Sequence, residues 1–520
     1  MGSSLVFRLA LASMLLAGCS SLPKSFPATP SQAISFQEKT TLGELLRPGT
    51  QSHPGKSGFS ILNTGRDAIL TRLALADVAE KTIDAQYFIW EGDSSGLLLI
   101  DRLIKAADRG VRVRLLLDDM TSHGKDLGLA VLNQHPQIEV RVFNPLGRRY
   151  YLGIFRTMAI AFHVGRMTNR MHNKIFVIDN QAALVGGRNI GDDYFGVAKK
   201  SNFRDLDLVT SGPIVPDISA AFDRYWNSPW AVPFEIFKTK IPTGKAMDKR
   251  YRKLKEGFLE AEKTYPYPLD WRRETVINTI QADQQKLIWA EAEVISDAPD
   301  KAWSQAKRGQ SKSEIVRHLS ETIGDATQEL VVVSPYLIFS KESAKRLSLF
   351  TQKGVAVKIL TNSLASTDAI PVVAMYRPIR KDILQSGAQL FEMRPDADSR
   401  KQFIDPSRTK SRLSLHAKAA LIDVKEVFIG TFNVDPRSEH LNTEVGLLVH
   451  SQELARVFRM HLEEDLRPEN SYALRLEGDE ISWNATTRGS RHTYSSDPLA
   501  GFWRRFSAFF LSLLPIKNQL

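Results

Sequence analysis

The sequence predicts an α/β fold built as two similar halves, each with a mixed, largely parallel sheet flanked by helices. In both halves, segments with strand periodicity alternate with segments of helical periodicity, which is typical of parallel sheets covered by helices. The pattern also repeats at a constant offset of 244 residues, from His172 to His416 and from Asn189 to Asn433. We therefore expect two domains packed as a pseudo-dimer around one shared active site.

The first half contains a regular succession of predicted elements. Asp67–Lys81 has apolar residues at helical spacing, and Ile83–Trp90 is predicted to be a strand. Ser94–Arg109 is a predicted helix ended by glycine, and Val111–Asp118 is the next strand. This order is that of a strand–helix–strand unit with parallel strands.

The second half repeats the succession. Glu329–Tyr336 is a predicted strand, Lys341–Lys353 a helix, and Val355–Thr361 a strand. Gly354 ends the helix as Gly110 does in the first half, again 244 positions apart. The repeat therefore covers most of each half.

The N-terminal segment has the pattern of a bacterial secretion signal. A short charged head precedes an apolar run from Leu9 to Ala17, which is too short to span a bilayer. Leu16-Ala17-Gly18-Cys19 resembles a lipobox, which implies lipidation at Cys19, and the serine after it resembles an outer-membrane sorting signal. A plain signal peptide with a coincidental cysteine is the alternative.

Composition and periodicity divide the remaining chain. A segment rich in Ser, Pro and Thr predicts a flexible tether, and a Lys/Arg-dense segment predicts a solvated linker helix or a binding surface. Phe502–Leu514 has an aromatic helical face, which suits either a helix in the lipid interface or one docked on the core. The predicted units are 1–18 (signal), 19–55 (tether), 56–234 (first domain), 235–310 (basic linker), 311–475 (second domain) and 476–520 (C-terminal extension).

The main functional signal is a string that occurs twice. It is His-Asn-Lys-Ile-Phe-Val-Ile-Asp at 172–179 and His-Ala-Lys-Ala-Ala-Leu-Ile-Asp at 416–423, each followed by glycine and then asparagine. Because residues i and i+2 of a strand share a face, the His and Lys of each string point the same way. A single copy has little weight, but two matched copies indicate one site made from two halves.

These residue types suit phosphodiester chemistry. One neutral histidine can attack phosphorus while the other, protonated, donates to the leaving oxygen, and Lys and Asn can stabilise the phosphate oxygens. No metal or other cofactor is expected. Asp205 and Glu444, each ahead of an apolar strand, are candidates to orient the rings. A surface acid at a strand start is the alternative for each.

With both motifs intact, the chain resembles the phospholipase D superfamily, whose HKD motif the two strings match, from about Gly58 to the C-terminus. Several flanking segments are similar to the bacterial cardiolipin synthase C branch. These segments are Gln86–Trp90, Gly186–Asp192, Thr361–Ala365, Asn433–Ser438 and Asn442–Glu444. In this respect the sequence differs from other synthase branches, whose chains begin with membrane-spanning helices instead of a lipobox.

The resemblance implies two phospholipase D-like domains and an exchange through a covalent phosphohistidine. His172 would be the nucleophile and His416 the acid and base, with the reverse order open. Asp179 and Asp423 would hold their motif loops. The implied phosphate ligands are Lys174, Lys418, Asn189 and Asn433.

We expect a phosphatidyltransferase that makes cardiolipin from phosphatidylglycerol, with phosphatidylethanolamine as a candidate second lipid. The net charge of +11 suits an anionic partner, whether lipid, phosphorylated substrate or nucleic acid. The alternatives are lipid hydrolysis to phosphatidic acid, a secreted nuclease and a non-catalytic membrane scaffold. Predicted anchors at both ends favour a membrane surface at the bacterial cell envelope, and no nucleic-acid partner is expected.

Overall fold

The computed structural model describes most of the chain. The described residues are 26–513 except 38, 123, 146–168, 238, 240–242, 268–271, 302–312, 340 and 409. The predicted signal segment and Cys19 lie outside them.

The elements of the first half end before the basic segment. Its strands are β1 Ser57–Leu62, β2 Thr82–Tyr87, β3 Arg112–Asp118, β4 Ile138–Phe143, β5 Ile175–Ile178, β6 Ala182–Gly186, β7 Ser201–Arg204, β8 Asp207–Ser211 and β9 Ala231–Pro233. Its helices are α1 Thr41–Ser52, α2 Gly65–Val78, α3 Ser94–Asp108, α4 Asp119–Ser122, α5 Asp126–Leu132 and α6 Ile214–Trp226, followed by a 3-10 turn at Phe234–Phe237.

The remaining elements begin in the basic segment. The strands are β10 Ile288–Ser296, β11 Glu329–Val333, β12 Ala356–Asn362, β13 Gln389–Met393, β14 Arg412–Leu415, β15 Ala419–Ile422, β16 Glu426–Gly430, β17 Val445–His450, β18 Ser471–Glu477, β19 Glu480–Thr487 and β20 Ser490–Tyr494. The helices are α7 Lys245–Thr264, α8 Arg273–Gln284, α9 Glu314–Gly324, α10 Lys341–Gln352, α11 Ile370–Tyr376, α12 Arg380–Gln385, α13 Arg400–Phe403, α14 Pro436–His440, α15 Gln452–Leu466 and α16 Phe502–Ser512. Short 3-10 turns occupy Arg377–Ile379 and Pro406–Arg408.

One mixed sheet of 18 strands runs through both halves. The first half contributes the order β9-β4-β3-β2-β5-β6-β8-β1. The second contributes β10-β17-β16-β15-β11-β12-β13-β18, extended by β19 and β20. The halves meet where β1 pairs with β10, Gly58 opposite Trp289. The matching orders confirm the predicted pair of similar α/β domains.

The predicted helices and strands of both halves are present, with ends shifted by a few residues. Among the described strands of the large sheet, however, parallel pairing is confined to β2-β3-β4 and β11-β12-β13. The other neighbours are antiparallel. The sheets are therefore mixed but less parallel than expected, because the motif strands return as hairpins rather than through crossover helices.

The predicted tether 19–55 is wrong for its second part. Residues Thr41–Ser52 form α1, with Leu42 and Leu46 buried against the first half. Upstream, the Ser31 amide donates to Asn227 at 3.0 Å and the Ala33 amide to Asp223 at 2.8 Å. The polar composition masked the amphipathic pattern of this helix. The chain is docked from Phe26 onward, since Phe26 packs against the core and the Thr29 carbonyl accepts from Arg141 Nη2 at 2.7 Å.

The predicted linker 235–310 is also wrong in part. Its α7 is largely exposed, with Ala261 buried, as a solvated helix would be. Its last strand, β10, pairs with β17 as β1 pairs with β8. The second domain therefore begins before residue 311, at β10.

The hydrophobic core has a central part shared by the two halves. One cluster joins Ile175 and Val185 of the first half to Leu421 and Leu447 of the second. A buried ion pair also crosses, since Arg204 Nη2 lies 2.9 Å from Asp465 Oδ2. Separate clusters fill the outer part of each half. The interface between the halves is therefore built like a domain interior.

The C-terminal helix α16 is docked on the second half and still exposes an aromatic face. Ala508 is buried, and Arg504 Nε donates to the Leu364 carbonyl at 2.5 Å. On the other side, the exposed fractions of Phe502 and Trp503 are 72% and 75%. No helix within the described part of the chain is long and apolar enough to cross a bilayer.

Each half contains the same carboxylate-held turn before its first central strand. Asp179 accepts the backbone amides of Glu80, Lys81 and Thr82 at 3.0, 2.7 and 2.8 Å. Asp423 accepts those of the three residues from 327 to 329. Both acids lie at the end of β5 or β15 that is opposite to the motif histidine, seven residues and about 23 Å along the extended chain. These contacts place Asp179 and Asp423 in structural positions.

We expect Asp179→Ala to lower the free energy of unfolding by about 2–4 kcal/mol, because three amides lose a buried acceptor. Asp423→Ala removes the same contacts at a more exposed turn, where water can replace the carboxylate, so about half that loss is expected. Urea unfolding followed by fluorescence measures both variants. Equal losses, or none for Asp179→Ala, would contradict the buried-acceptor argument.

Candidate active site

Strand pairing between the halves places His416 beside Asp205. Strand β14 pairs in parallel with β7, with Leu415 opposite Arg204. The next residues of the two segments are therefore neighbours, and the His416 amide donates to the Arg204 carbonyl at 2.8 Å. His416 of the second half thus receives its carboxylate from the first.

The same arrangement places His172 beside Glu444. Met171 forms a parallel bridge with Thr443, and the His172 amide donates to the Thr443 carbonyl at 2.9 Å. The bridge brings Glu444 next to the ring. Each predicted orienting acid therefore serves the histidine of the opposite half.

The hydrogen bonds define which ring nitrogen is available for chemistry. His172 Nδ1 lies 2.8 Å from Glu444 Oε2 and 3.1 Å from the Thr431 carbonyl. His416 Nδ1 lies 2.5 Å from Asp205 Oδ2. Because these oxygens can only accept, each Nδ1 carries a hydrogen, and the neutral ring leaves the Nε2 lone pair available.

The two motif lysines lie beside the rings and are almost fully buried. Lys174 Nζ donates to the His172 carbonyl at 2.6 Å and lies 5.6 Å from the centre of the Phe88 ring. Lys418 Nζ donates to the His416 carbonyl and lies 3.0 Å from His416 Nδ1. The structure therefore brings both His-Lys pairs, with the two acids, into one centre.

Burial controls the protonation of this centre. It lowers the pKa of His172 to about 4, with Glu444 opposing, and burial together with Lys418 lowers that of His416. Burial also lowers the pKa of Lys174 to about 7 and of Lys418 to about 8. The rings are therefore neutral at neutral pH. A bound phosphate would favour the charged forms of both lysines.

The two acids remain ionised although burial by itself would raise their pKa values. His416, Lys418 and Arg188 together hold the pKa of Asp205 well below its usual value. His172 and Lys174 lower that of Glu444. Each acid can therefore accept the Nδ1 hydrogen of its histidine throughout the physiological pH range.

The two asparagines predicted to bind phosphate differ in their contacts. Asn189 Oδ1 accepts the Ile89 amide at 3.0 Å, and its Nδ2 donates to the Tyr194 hydroxyl at 2.9 Å. The edge of the Tyr194 ring contacts His416. Asn433 is buried, and its Oδ1 has no hydrogen-bond partner among the described residues. Asn433 is thus the more available of the two, and the phosphate role of both stays a prediction.

Sequence reasoning missed a pair of residues that hold the segments before the histidines. Asp118 Oδ2 accepts the Met171 amide at 2.9 Å, and Asn362 Oδ1 accepts the Leu415 amide at 2.8 Å. Both end the second parallel strand of their half. They are also 244 positions apart, so the repeat that identified the histidines contained the signal for them.

A buried ion pair behind Glu444 was also missed. Asp297 Oδ2 accepts the Glu444 amide at 3.1 Å and lies 2.8 Å from Lys301 Nζ. Lys301 also donates to the carbonyls of Ser438 and Asn442, both at 2.7 Å. The pair therefore positions the loop that presents Glu444. It lies in the segment predicted to be a linker, which is why it was not considered.

Among the described residues, no group of three or more His, Cys, Asp or Glu is arranged to hold a metal ion.

Comparison with known proteins identifies the family. The model of the family described as cardiolipin synthase, PLD-like domain, matches residues 73–226 and 319–466. The chain belongs to this family, within the phospholipase D superfamily. It is an enzyme of the phosphatidyltransferase type.

Two relatives are matched over nearly all of their own length. Cardiolipin synthase C of Escherichia coli (strain K12) is 36% identical over 478 residues, which cover 92% of this chain and 99% of the relative. An uncharacterized protein of Helicobacter pylori (strain ATCC 700392 / 26695) is 29% identical, with 99% of each chain covered. The phosphatidylserine synthase of Haemophilus influenzae Rd KW20 superposes with a TM-score of 0.56 at 13% identity, covering 91% of this chain and 100% of that one. It shows the shared two-domain fold.

We expect His172 to stay neutral well below the pH at which a free imidazole titrates. Carbon-13 NMR of histidine labelled at Cε1 measures this, with His172→Asn to assign the signal. Burial is the main cause that lowers the His172 pKa from 6.5 to about 4, and the positive charge of Lys174 adds to it. Lys174→Met removes that charge, so the midpoint should rise. Glu444→Gln removes the opposing negative charge, so the midpoint should fall further. A wild-type midpoint near 6.5 would contradict the argument.

Proposed function

We propose that the enzyme transfers a phosphatidyl group from one phospholipid to a hydroxyl of phosphatidylglycerol, which yields cardiolipin. The observation that carries the proposal is the pair of histidines, each held by a carboxylate of the opposite half, with two buried lysines beside them. The name of the 36% identical relative supports the choice of product.

In the proposed first step, His172 Nε2 attacks the phosphorus of the donor lipid. A phosphorus–nitrogen bond forms, the phosphorus–oxygen bond to the headgroup breaks, and His416 Nε2 gives its proton to the leaving oxygen. Lys174, Lys418 and Asn433 stabilise the charge on the phosphate oxygens. The lowered pKa of His172 supports its role as the neutral nucleophile.

In the second step, His416 removes the proton from the phosphatidylglycerol hydroxyl. The oxygen attacks phosphorus, the bond to His172 breaks, and cardiolipin leaves. For His416 to be protonated in the first step its pKa must rise on binding. The phosphate charge offsets Lys418, which lowers that pKa in the free enzyme.

Hydrolysis is the second candidate, because water can replace the alcohol without any change in the catalytic groups. With phosphatidylglycerol and phosphatidylethanolamine supplied together, we expect wild type to form cardiolipin, measured by mass spectrometry of the lipids. His172→Ala should lose at least about 10³-fold in rate. If phosphatidic acid forms without cardiolipin, the reaction is hydrolysis and the transfer proposal is wrong.

The same assay tests the order of the two histidines. An acid-labile, base-stable label from the lipid phosphate should remain on His416→Ala and vanish from His172→Ala. Label on His172→Ala alone would reverse the assignment. Arg317→Ala, at an exposed helix position away from the site, is the matched control and should keep full activity.

We also propose that the enzyme works at the membrane surface of the cell envelope, anchored by lipid on Cys19 and facing the periplasm from the outer membrane. From Cys19 to Phe26, which packs against the core of the first half, an extended chain reaches about 25 Å. The anchor would therefore keep the enzyme close to the bilayer. The exposed aromatic face of α16 suits insertion into the lipid interface.

Replacing Trp503 and Phe509 by serine should lower binding of protein without Cys19 to phosphatidylglycerol vesicles by about tenfold or more, because apolar area is lost. Flotation in a density gradient measures it, with the exposed Met460→Ser as control. Unchanged flotation would show that α16 does not contribute to membrane binding.

A second experiment tests the lipid anchor in cells. The full-length Cys19→Ala variant should be absent from the outer-membrane fraction, and its retention there would contradict the lipid anchor.

A further inference from the structure

A cavity of about 1020 Å³ lies beneath the helices of the second half. Helices α9 and α10 form one wall, and strands β11, β15 and β16 form the other. Its lining is mostly apolar and includes Leu319, Ile323, Val332, Leu347, Phe350 and Phe428. A volume of this size is at the upper end of the range for ligand pockets.

The cavity extends along the strands toward the catalytic centre. One end is at Gly324 and Lys353, which precede β11 and β12. The other end is at Asp435 and Pro436, which follow β16, at the edge of the sheet where β15 begins after His416. One end of the cavity is therefore next to the active site and the other is remote from it.

Hydrogen bonds connect the near end to the catalytic machinery. Asp435 Oδ1 accepts the Ser438 amide at 2.7 Å, and Ser438 Oγ donates to Glu444 Oε1 at 2.8 Å. Asn433, two residues before Asp435, has a buried side-chain oxygen without a hydrogen-bond partner among the described residues. Its neighbours Phe432 and Val434 line the cavity, so a polar group held at Asn433 would lie next to the near end of the cavity.

Among the described residues, the helices of the first half are packed more closely at the equivalent place. Helices α2 and α3, the counterparts of α9 and α10, each bury eight residues. In contrast, α9 buries only Ile315 and Leu319, and the described part of α10 buries Ala344 and Leu347. The helix layer of the second half is therefore packed less closely than that of the first. A mostly apolar cavity of this size is suited to binding an apolar ligand.

We propose that the cavity receives a fatty acyl chain of a phospholipid whose phosphate lies between the two histidines. This inference rests on the proposed function, because it assigns a position to part of the lipid substrate. The apolar lining, the extended shape and the position of the near end beside Asn433 match a molecule with a polar head and a long hydrocarbon chain. Each methylene taken out of water favours binding, so affinity should increase with chain length.

The test fills the cavity from the helix side, away from the catalytic residues. Leu347→Trp, with Ile323→Trp as a second variant, should raise KM for dipalmitoyl phosphatidylglycerol at least about fivefold. For the dihexanoyl lipid, KM should change less than about twofold. The matched control is Leu70→Trp, which fills a separate cavity of about 480 Å³ in the first half and should affect neither lipid.

A phospholipid with a photoreactive diazirine at the end of its acyl chain gives a direct readout. Crosslinks should map to α9 or α10 in wild type and decrease in Leu347→Trp. Equal effects of the variants on both lipids, or crosslinks confined to α16 or to residues 302–312, would overturn the acyl site. If wild type binds and crosslinks the lipid in the cavity but forms no cardiolipin, the proposed function fails and the acyl site stands.

Discussion

The pairing of each histidine with a carboxylate from the opposite half is the interaction on which the rest of the structure depends. The parallel alignments of Leu415 with Arg204 and of Met171 with Thr443 bring the next residues together as His-acid pairs. Neither half contains a complete pair, so the site exists only when the halves are packed. The shared apolar core and the β1–β10 junction maintain that packing.

The same packing determines the electrostatics. Two acids, two lysines and two imidazoles are enclosed together, and burial disfavours charge on the rings and the lysines. The acids stay ionised because they accept hydrogen bonds and face positive groups. The free enzyme therefore has neutral rings and weakly basic lysines. An anionic phosphate changes this balance, since it favours the charged lysines and a protonated ring.

The sequence predicted the repeated elements, and it predicted which histidines, lysines and acids meet in one centre, because a constant offset marks equivalent positions. It did not predict that the acids cross between halves, because spacing along one chain does not show which segments pair. The folded part of the tether was missed because Ser, Pro and Thr outnumber Leu42 and Leu46. Strand β10 was missed because a charged helical stretch dominates the composition of its segment.

The differences between the halves fit the asymmetric reaction that we propose for this nearly symmetric site. Asp205 lies among Arg188, Lys418 and His416, which hold its pKa far below normal, so it is a strong partner for a protonated His416. Glu444 Oε1 accepts a hydrogen bond from Ser438 Oγ, and the Glu444 amide donates to Asp297 Oδ2. These two contacts hold Glu444 in position for a neutral His172. These surroundings support His416 as the proton carrier and His172 as the nucleophile. The less closely packed helix layer of the second half adds the same kind of asymmetry, since the acyl site that we propose lies on one side of the phosphate.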